Sequence, residues 1–143
     1  DEDIQREIDM VLEMCRLQDM PQTGLIASSR PGTTSFHESL EFAMSNPEIK
    51  GFRRVLHTAA TPPGFCLQGE FIRDLKLLGQ SSLPFDICIR RQELSDVKQL
   101  VAECDQTQFV LDHCGNADVR MSQEDFVQWG QQIRSIAECK NVN

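Results

Sequence analysis

Three side chains in this sequence have the type and placement to do chemistry: His113, Arg53 and His57. His113 follows a short apolar run, Phe109-Val110-Leu111, and Asp112, and leads into a Cys-Gly-Asn turn. Such a run of β-favouring residues predicts a buried parallel strand with polar groups at its C-terminal end. In α/β folds that end is where ligands bind. A neutral imidazole there can ligate a metal or hydrogen-bond a substrate carbonyl. Alternation puts Phe109, Leu111 and His113 on one face and Val110 and Asp112 on the other. Asp112 is therefore expected to face covering helices and brace the rim.

Arg53 and Arg54 are neighbours in IKGFRRVL and point to opposite faces. Arg54 shares a face with bulky Phe52 and Leu56, which are expected to meet helices. Arg53 shares its face with Gly51 and Val55 and is the candidate for an interior clamp on a substrate carboxylate, the alternative being a buried salt bridge within the scaffold. His57 has the parity of Arg53 and tops the same strand, so it is a second candidate for substrate contact. Arg90 and Arg91 end the next strand and read as surface charges. Asp86, at the start of that strand, reads as structural, and His37 as inert. Cys114 adjoins His113, but no base is placed for it, so nucleophilic catalysis is not expected there.

The elements that must position these residues alternate along the chain. Asp1–Met20 has helical apolar spacing through Ile4, Ile8, Val11, Leu12 and Cys15, and Pro21 stops it. A strand over Thr23–Ser28 and a helix over Phe36–Ser45 follow. Ile49–Leu56 is a strand in which Gly51 implies close packing. His57–Gly69 is the longest loop, of a length that is often functional. Glu70–Leu78 is a helix with Gly79 as its C′ residue, Phe85–Ile89 a strand and Leu94–Cys104 a helix. After the Phe109 strand, Ser122-Gln-Glu-Asp125 is a capping box opening a helix with Phe126, Trp129, Ile133, Ile136 and Ala137. Asn141–Asn143 could begin another strand.

Bulk properties narrow the function. The chain has 143 residues and is 40% apolar, enough for a folded core, and its net charge is −8. That charge excludes a phosphate-backbone partner, so no nucleic acid is expected. No apolar run reaches a membrane span, and the acidic N-terminus is not a signal peptide. Six cysteines without a CxxC pair read as reduced thiols in a cytoplasmic protein rather than as a disulfide framework.

Strand starts about 25–35 residues apart fit βαβ units with right-handed crossovers. An open doubly wound sheet and part of an eight-stranded βα barrel, which takes about 250 residues, both match. The chain starts with a helix and stops where a strand would begin. The expectation is therefore one barrel domain, residues 1–143, truncated at both ends.

The segments KGFRRVLH, FDICIRRQELSDVKQLVAEC and QFVLDHCGN together resemble the amidohydrolase-related family (amidohydrolase 2) of predicted metal-dependent hydrolases. That family includes lactonases acting on sugar lactones and pyrone dicarboxylate. The motifs that carry the resemblance are Gly51-Phe52-Arg53 and Asp112-His113-Cys114-Gly115. Ala117 follows Asn116 where family members often have proline nearby, a departure bearing on loop stiffness. The resemblance implies a partial (β/α)8 TIM barrel of about four central βα units, strands three to six. It implies that His113 is the active-site histidine of the sixth strand and a possible metal ligand, and that Arg53 contacts an anionic substrate. The HxH pair and the catalytic aspartate would lie outside this chain, so the isolated chain is expected to be inactive. The implied cofactor is a divalent metal, zinc first, and the implied partner a small-molecule substrate. Two raw sheet edges favour self-association, hence a homo-oligomer. A carbon–carbon lyase and a non-enzymatic open α/β binding domain are the alternatives.

Overall fold

Phe52, Phe85 and Phe109 stand side by side on three neighbouring parallel strands, and this row determines which face of the sheet meets the helices. All three rings are fully buried. Phe85 meets Phe109 edge-on at 6.5 Å, and Phe36 and Phe71 pack onto Phe52 and Phe85 at 6.3 and 5.8 Å. Edge-to-face pairs at such distances add attraction beyond their area burial.

The structure is a computed structural model that describes residues 2–17 and 24–143. Among the described residues the sheet is parallel, in the order β1 (Leu25–Ser28), β2 (Ile49–Val55), β3 (Phe85–Cys88) and β4 (Phe109–Leu111). Strands laid down in chain order, each crossover right-handed, send every connection to one face. That is the winding of a βα barrel. A doubly wound sheet needs a reversal of strand order, and this sheet has none. The helices are α1 (Glu2–Cys15), α2 (Phe36–Ser45), α3 (Gly69–Gln80), α4 (Leu94–Glu103) and α5 (Gln123–Ala137). Leu75 and Leu78 of α3 and Leu94, Val97 and Leu100 of α4 are fully buried in the core beneath the phenylalanine row. The opposite face leaves Ile26, Val55 and Val110 exposed.

The chain resumes the sheet at its end. Phe109 N–H donates to Asn141 O at 2.8 Å, Asn143 N–H to Phe109 O at 2.9 Å and Leu111 N–H to Asn143 O at 3.0 Å. Val142 bridges Phe109 in parallel, so the strand expected at Asn141–Asn143 has begun. The expected turn of helix up to Met20, its stop at Pro21 and the strand start at Thr23 lie outside the described residues.

Local signals hold at two positions and fail at one. Ser122 Oγ accepts the Asp125 N–H at 3.1 Å, forming the expected cap. A Cβ on Gly51 would sit 2.8 Å from Pro84 O, so this strand glycine does mark a close approach. Gly79, however, is not the C′ residue of α3. The left-handed residue is Ser82, at φ 57°. Leu83 N–H donates to Leu78 O at 3.1 Å and Ser82 N–H to Gly79 O at 3.0 Å, the two bonds of a Schellman motif. Gly79 is small for another reason: a Cβ there would lie 2.6 Å from Thr107 Oγ1.

Candidate functional site

The register that aligns the phenylalanines also aligns the residues one step on. Ser28, Arg53, Asp86 and Val110 are lateral neighbours and face the side without helices. One pleat higher on that face are Val55 and Cys88, then Asp112. Asp112 therefore does not face the helices, as the sequence had suggested. Phe109 takes that side, which turns Val110 and Asp112 inward.

Arg53 lies between two carboxylates. Its Nη2 is 3.3 Å from Asp86 Oδ2, and its Nε is 2.9 Å from Asp112 Oδ2. The two aspartate side chains are 8% and 9% exposed, whereas Arg53 is 40% exposed. Asp86, which reads as structural from sequence, is the register partner of Arg53 and braces it from the neighbouring strand. Burial raises the Asp86 carboxyl above its usual value, the negative Asp112 adds to that, and Arg53 opposes both. With all three ionised, the group carries one net negative charge.

The backbone places His113 in an unusual way. His113, Cys114, Gly115 and Asn116 have φ of 52°, 52°, 69° and 54°, four consecutive left-handed residues of which one is glycine. Left-handed backbone costs L-residues roughly 1–2 kcal/mol each, so the surroundings must hold it. Gly115 N–H donates to Asp112 O at 2.8 Å, Trp129 Nε1 to Cys114 O at 2.9 Å, and Asn116 Nδ2 to Ile89 O at 2.7 Å. Gly115 also lies against Leu94, where a Cβ would come within 2.5 Å of Cδ2. Because the strand turns left-handed at His113, the imidazole leaves the strict strand alternation that would send it towards the helices. It is exposed, and its ligating nitrogen lies within 4.8 Å of the donor atoms of Cys88 and Asp112. A cysteine that ionises on binding, a carboxylate and an imidazole are a donor set zinc accepts. The residues present thus fit a divalent metal.

The loop after β2 is fastened from below. Arg90 donates to the carbonyls of Leu56 and Thr58, both at 2.7 Å, and of Thr61 at 2.9 Å, and it pairs with Glu93 at 2.8 Å. Glu93 accepts the Gly64 N–H at 2.9 Å. Arg90 is thus a partly buried staple rather than the free surface charge read from sequence. Arg91 pairs with Asp125 at 3.5 Å. The stapled loop borders a cleft of about 250 Å³ whose walls include Ser28, Arg53, Val55, Thr58 and Thr61. His57 is exposed at the start of this loop and takes no part in the Arg53 network. Arg54 meets the helix side as expected, donating to Pro31 O and lying 4.5 Å over the Phe65 ring.

Cys66, Cys88, Cys104, Cys114 and Cys139 are free thiols. Burial pushes Cys66 up to about 12 and Cys104 to about 11, so neither is a nucleophile at neutral pH. Sequence reasoning passed over Cys88 and Asp86. Strand parity with Arg53 becomes visible only once the register between β2 and β3 is known.

The family model for amidohydrolases matches residues 1–143. The chain belongs to the amidohydrolase family. Solved structures with a similar fold include an amidohydrolase from Burkholderia multivorans, in one crystal with bound HEPES and in another with bound zinc. At 21% and 20% identity they superpose with TM-scores of 0.81 and 0.83, covering 96% of this chain and 48% of theirs. Amidohydrolase 2 from Bifidobacterium longum subsp. infantis superposes at 0.64 with 21% identity, covering 94% of this chain and 47% of that one. The chain spans about half the length of these structures, and its fold is that of a partial amidohydrolase barrel. None of the curated proteins matches it. Among the described residues, no helix is long and apolar enough to cross a membrane.

Proposed function

We propose that this chain supplies half of a hydrolase site that opens a lactone or a similar carbonyl substrate bearing a carboxylate. The observation that carries the reading is Arg53, braced by Asp86 and Asp112 and reaching the strand ends where His113 stands. An arginine has five donors. Two of its nitrogens, Nε and Nη2, engage the aspartates, which leaves Nη1 for a substrate carboxylate at the mouth of the cleft. The two ion pairs hold the guanidinium plane, so little ordering remains to be done on binding.

His113 serves the reacting end. An imidazole at this rim hydrogen-bonds the substrate carbonyl or holds the metal, and the left-handed turn fixes where it stands. A divalent metal, zinc foremost, would polarise the carbonyl and acidify water. Asp112 links the two ends, since it pairs with Arg53 and adjoins His113. His57, exposed at the start of the loop after β2, is the candidate for a further substrate contact. The stapled loop narrows access for water.

The test is a substrate panel assayed in a whole barrel that contains this chain. Lactones with and without a carboxylate should both open, the carboxylated ones with the lower KM. Equal KM for both classes would remove Arg53 as the clamp. Release of carbon dioxide instead of ring opening would make the protein a lyase.

A further inference from the structure

We propose that Cys88 is a metal ligand and that, with Asp112 and His113, it makes a thiolate-containing site for a single soft divalent cation. The proposal deepens the hydrolase reading and depends on it only for the reaction the metal would serve. Three observations support it. First, the three donor atoms lie within 4.8 Å of one another and come from adjoining strand ends, Cys88 closing β3 and Asp112 and His113 following β4. Ligands spaced this closely can reach one ion with small side-chain adjustments, since metal–ligand bonds of 2.0–2.3 Å place ligand atoms roughly 3–4 Å apart in a tetrahedron.

Second, Cys88 differs from the other buried thiols in what surrounds it. Cys66 and Cys104 belong to the apolar cluster packed by the helices. Cys88 lies outside that cluster, on the inner face beside Val55, and is buried under polar groups: Asp112 above, Asp86 below, Arg53 and Asn116 beside it. A buried sulfur placed among charges at a strand's C-terminal end is badly sited for packing and well sited for ligation.

Third, charge at the site calls for a cation. With all three ionised, Arg53, Asp86 and Asp112 sum to one negative charge, which favours a cation beside them. A divalent ion turns that sum to plus one, and to zero once Cys88 has surrendered its proton. On binding, the thiol S–H bond breaks, the proton passes to solvent and the sulfur lone pair forms the bond to the metal. No oxidant or reductant is involved. Exposed His113 marks the entry side. A soft thiolate favours zinc over magnesium or calcium at such a site.

The experiment titrates the chain with zinc and records its X-ray absorption spectrum, with cobalt(II) as an optical probe. The expected result is one ion per chain, one sulfur at about 2.3 Å and a sulfur-to-cobalt charge-transfer band. Cys88→Ser should remove the sulfur and weaken binding by more than the ~10–100-fold seen for outer partners. Cys114→Ser, altering the exposed neighbouring thiol, should keep both signals. A shell of only nitrogen and oxygen in the unaltered chain would overturn the proposal without need of any variant. So would a sulfur signal that survives Cys88→Ser, or no saturable binding at one ion per chain. A zinc–sulfur bond in a barrel inert towards every lactone would uphold this site and sink the hydrolase reading instead.

Discussion

Replacing Arg53 by alanine probes the ion-pair cluster on stability alone, before any substrate is known. Two carboxylates only 8% and 9% exposed would lose their cation. Breaking a fully buried pair costs about 3–5 kcal/mol, because the remaining charge is stranded. An exposed pair is worth only about 0.2–1 kcal/mol. Arg53 is 40% exposed, so solvent screens part of each interaction, and the expected loss is about 2 kcal/mol. With a urea slope of about 1–3 kcal/mol/M, the midpoint falls by about 1 M. The assay is urea unfolding at pH 7, followed by circular dichroism and by Trp129 fluorescence. The decisive comparison adds Asp112→Asn, or Asp86→Asn, to the Arg53→Ala chain. Each should recover part of the loss, since the stranded charge is then gone, whereas Asp112→Asn alone should destabilise. A loss below about 0.5 kcal/mol for Arg53→Ala, within the range of ordinary surface changes, would refute the reasoning, as would the absence of recovery in the double variants.

Two glycines should respond to alanine with opposite signs. Gly115→Ala puts a Cβ into left-handed backbone against Leu94 and should cost more than ~1 kcal/mol. Gly130→Ala, inside α5 with its nearest neighbour an ordinary 3.6 Å away, should stabilise by about 0.5–1 kcal/mol; thermal melts of the two variants check both. Arg90→Ala should free the loop that ends at Gly64, read as new proteolytic cuts between residues 57 and 64 with the helix layer intact. Glu48 is held below its usual carboxylate value, first by its hydrogen bond from Arg16. Its contribution is present above the ordinary value of 4.5 and is lost as pH falls through the lowered one. The stability difference between the natural chain and Glu48→Gln should therefore vanish in acid and be steady at neutral pH.

Much of this fold was legible because single segments carry their own signals. The helix Phe36–Ser45 stops where Asn46-Pro47 follows. The Ser122 cap and the strand glycine Gly51 are likewise local chemistry that survives into the structure. What failed depends on contacts between segments. Asp112 was turned the wrong way because both Phe109 and Val110 are apolar, and only the helix layer decides which is buried. Asp86 reads as structural from its place within one strand, but its partner, Arg53 of the neighbouring strand, is visible only between strands. Gly79 looked like a helix stop, and the true stop is Ser82, a residue with no such preference. The left-handed course of His113–Asn116 could not be foreseen from a sequence in which three of the four residues carry a Cβ.

The sharpest test of the central claim, that Arg53 and His113 work on opposite ends of one substrate, is steady-state kinetics on a carboxylated lactone in a whole barrel containing this chain. Arg53→Lys should raise KM at least tenfold and leave kcat within a few-fold, since a lysine keeps the charge without the fork. His113→Ala should lower kcat by about 10²-fold or more with KM little changed. If both variants shift the same parameter by the same factor, or neither shifts anything, the two residues do not divide the substrate between them.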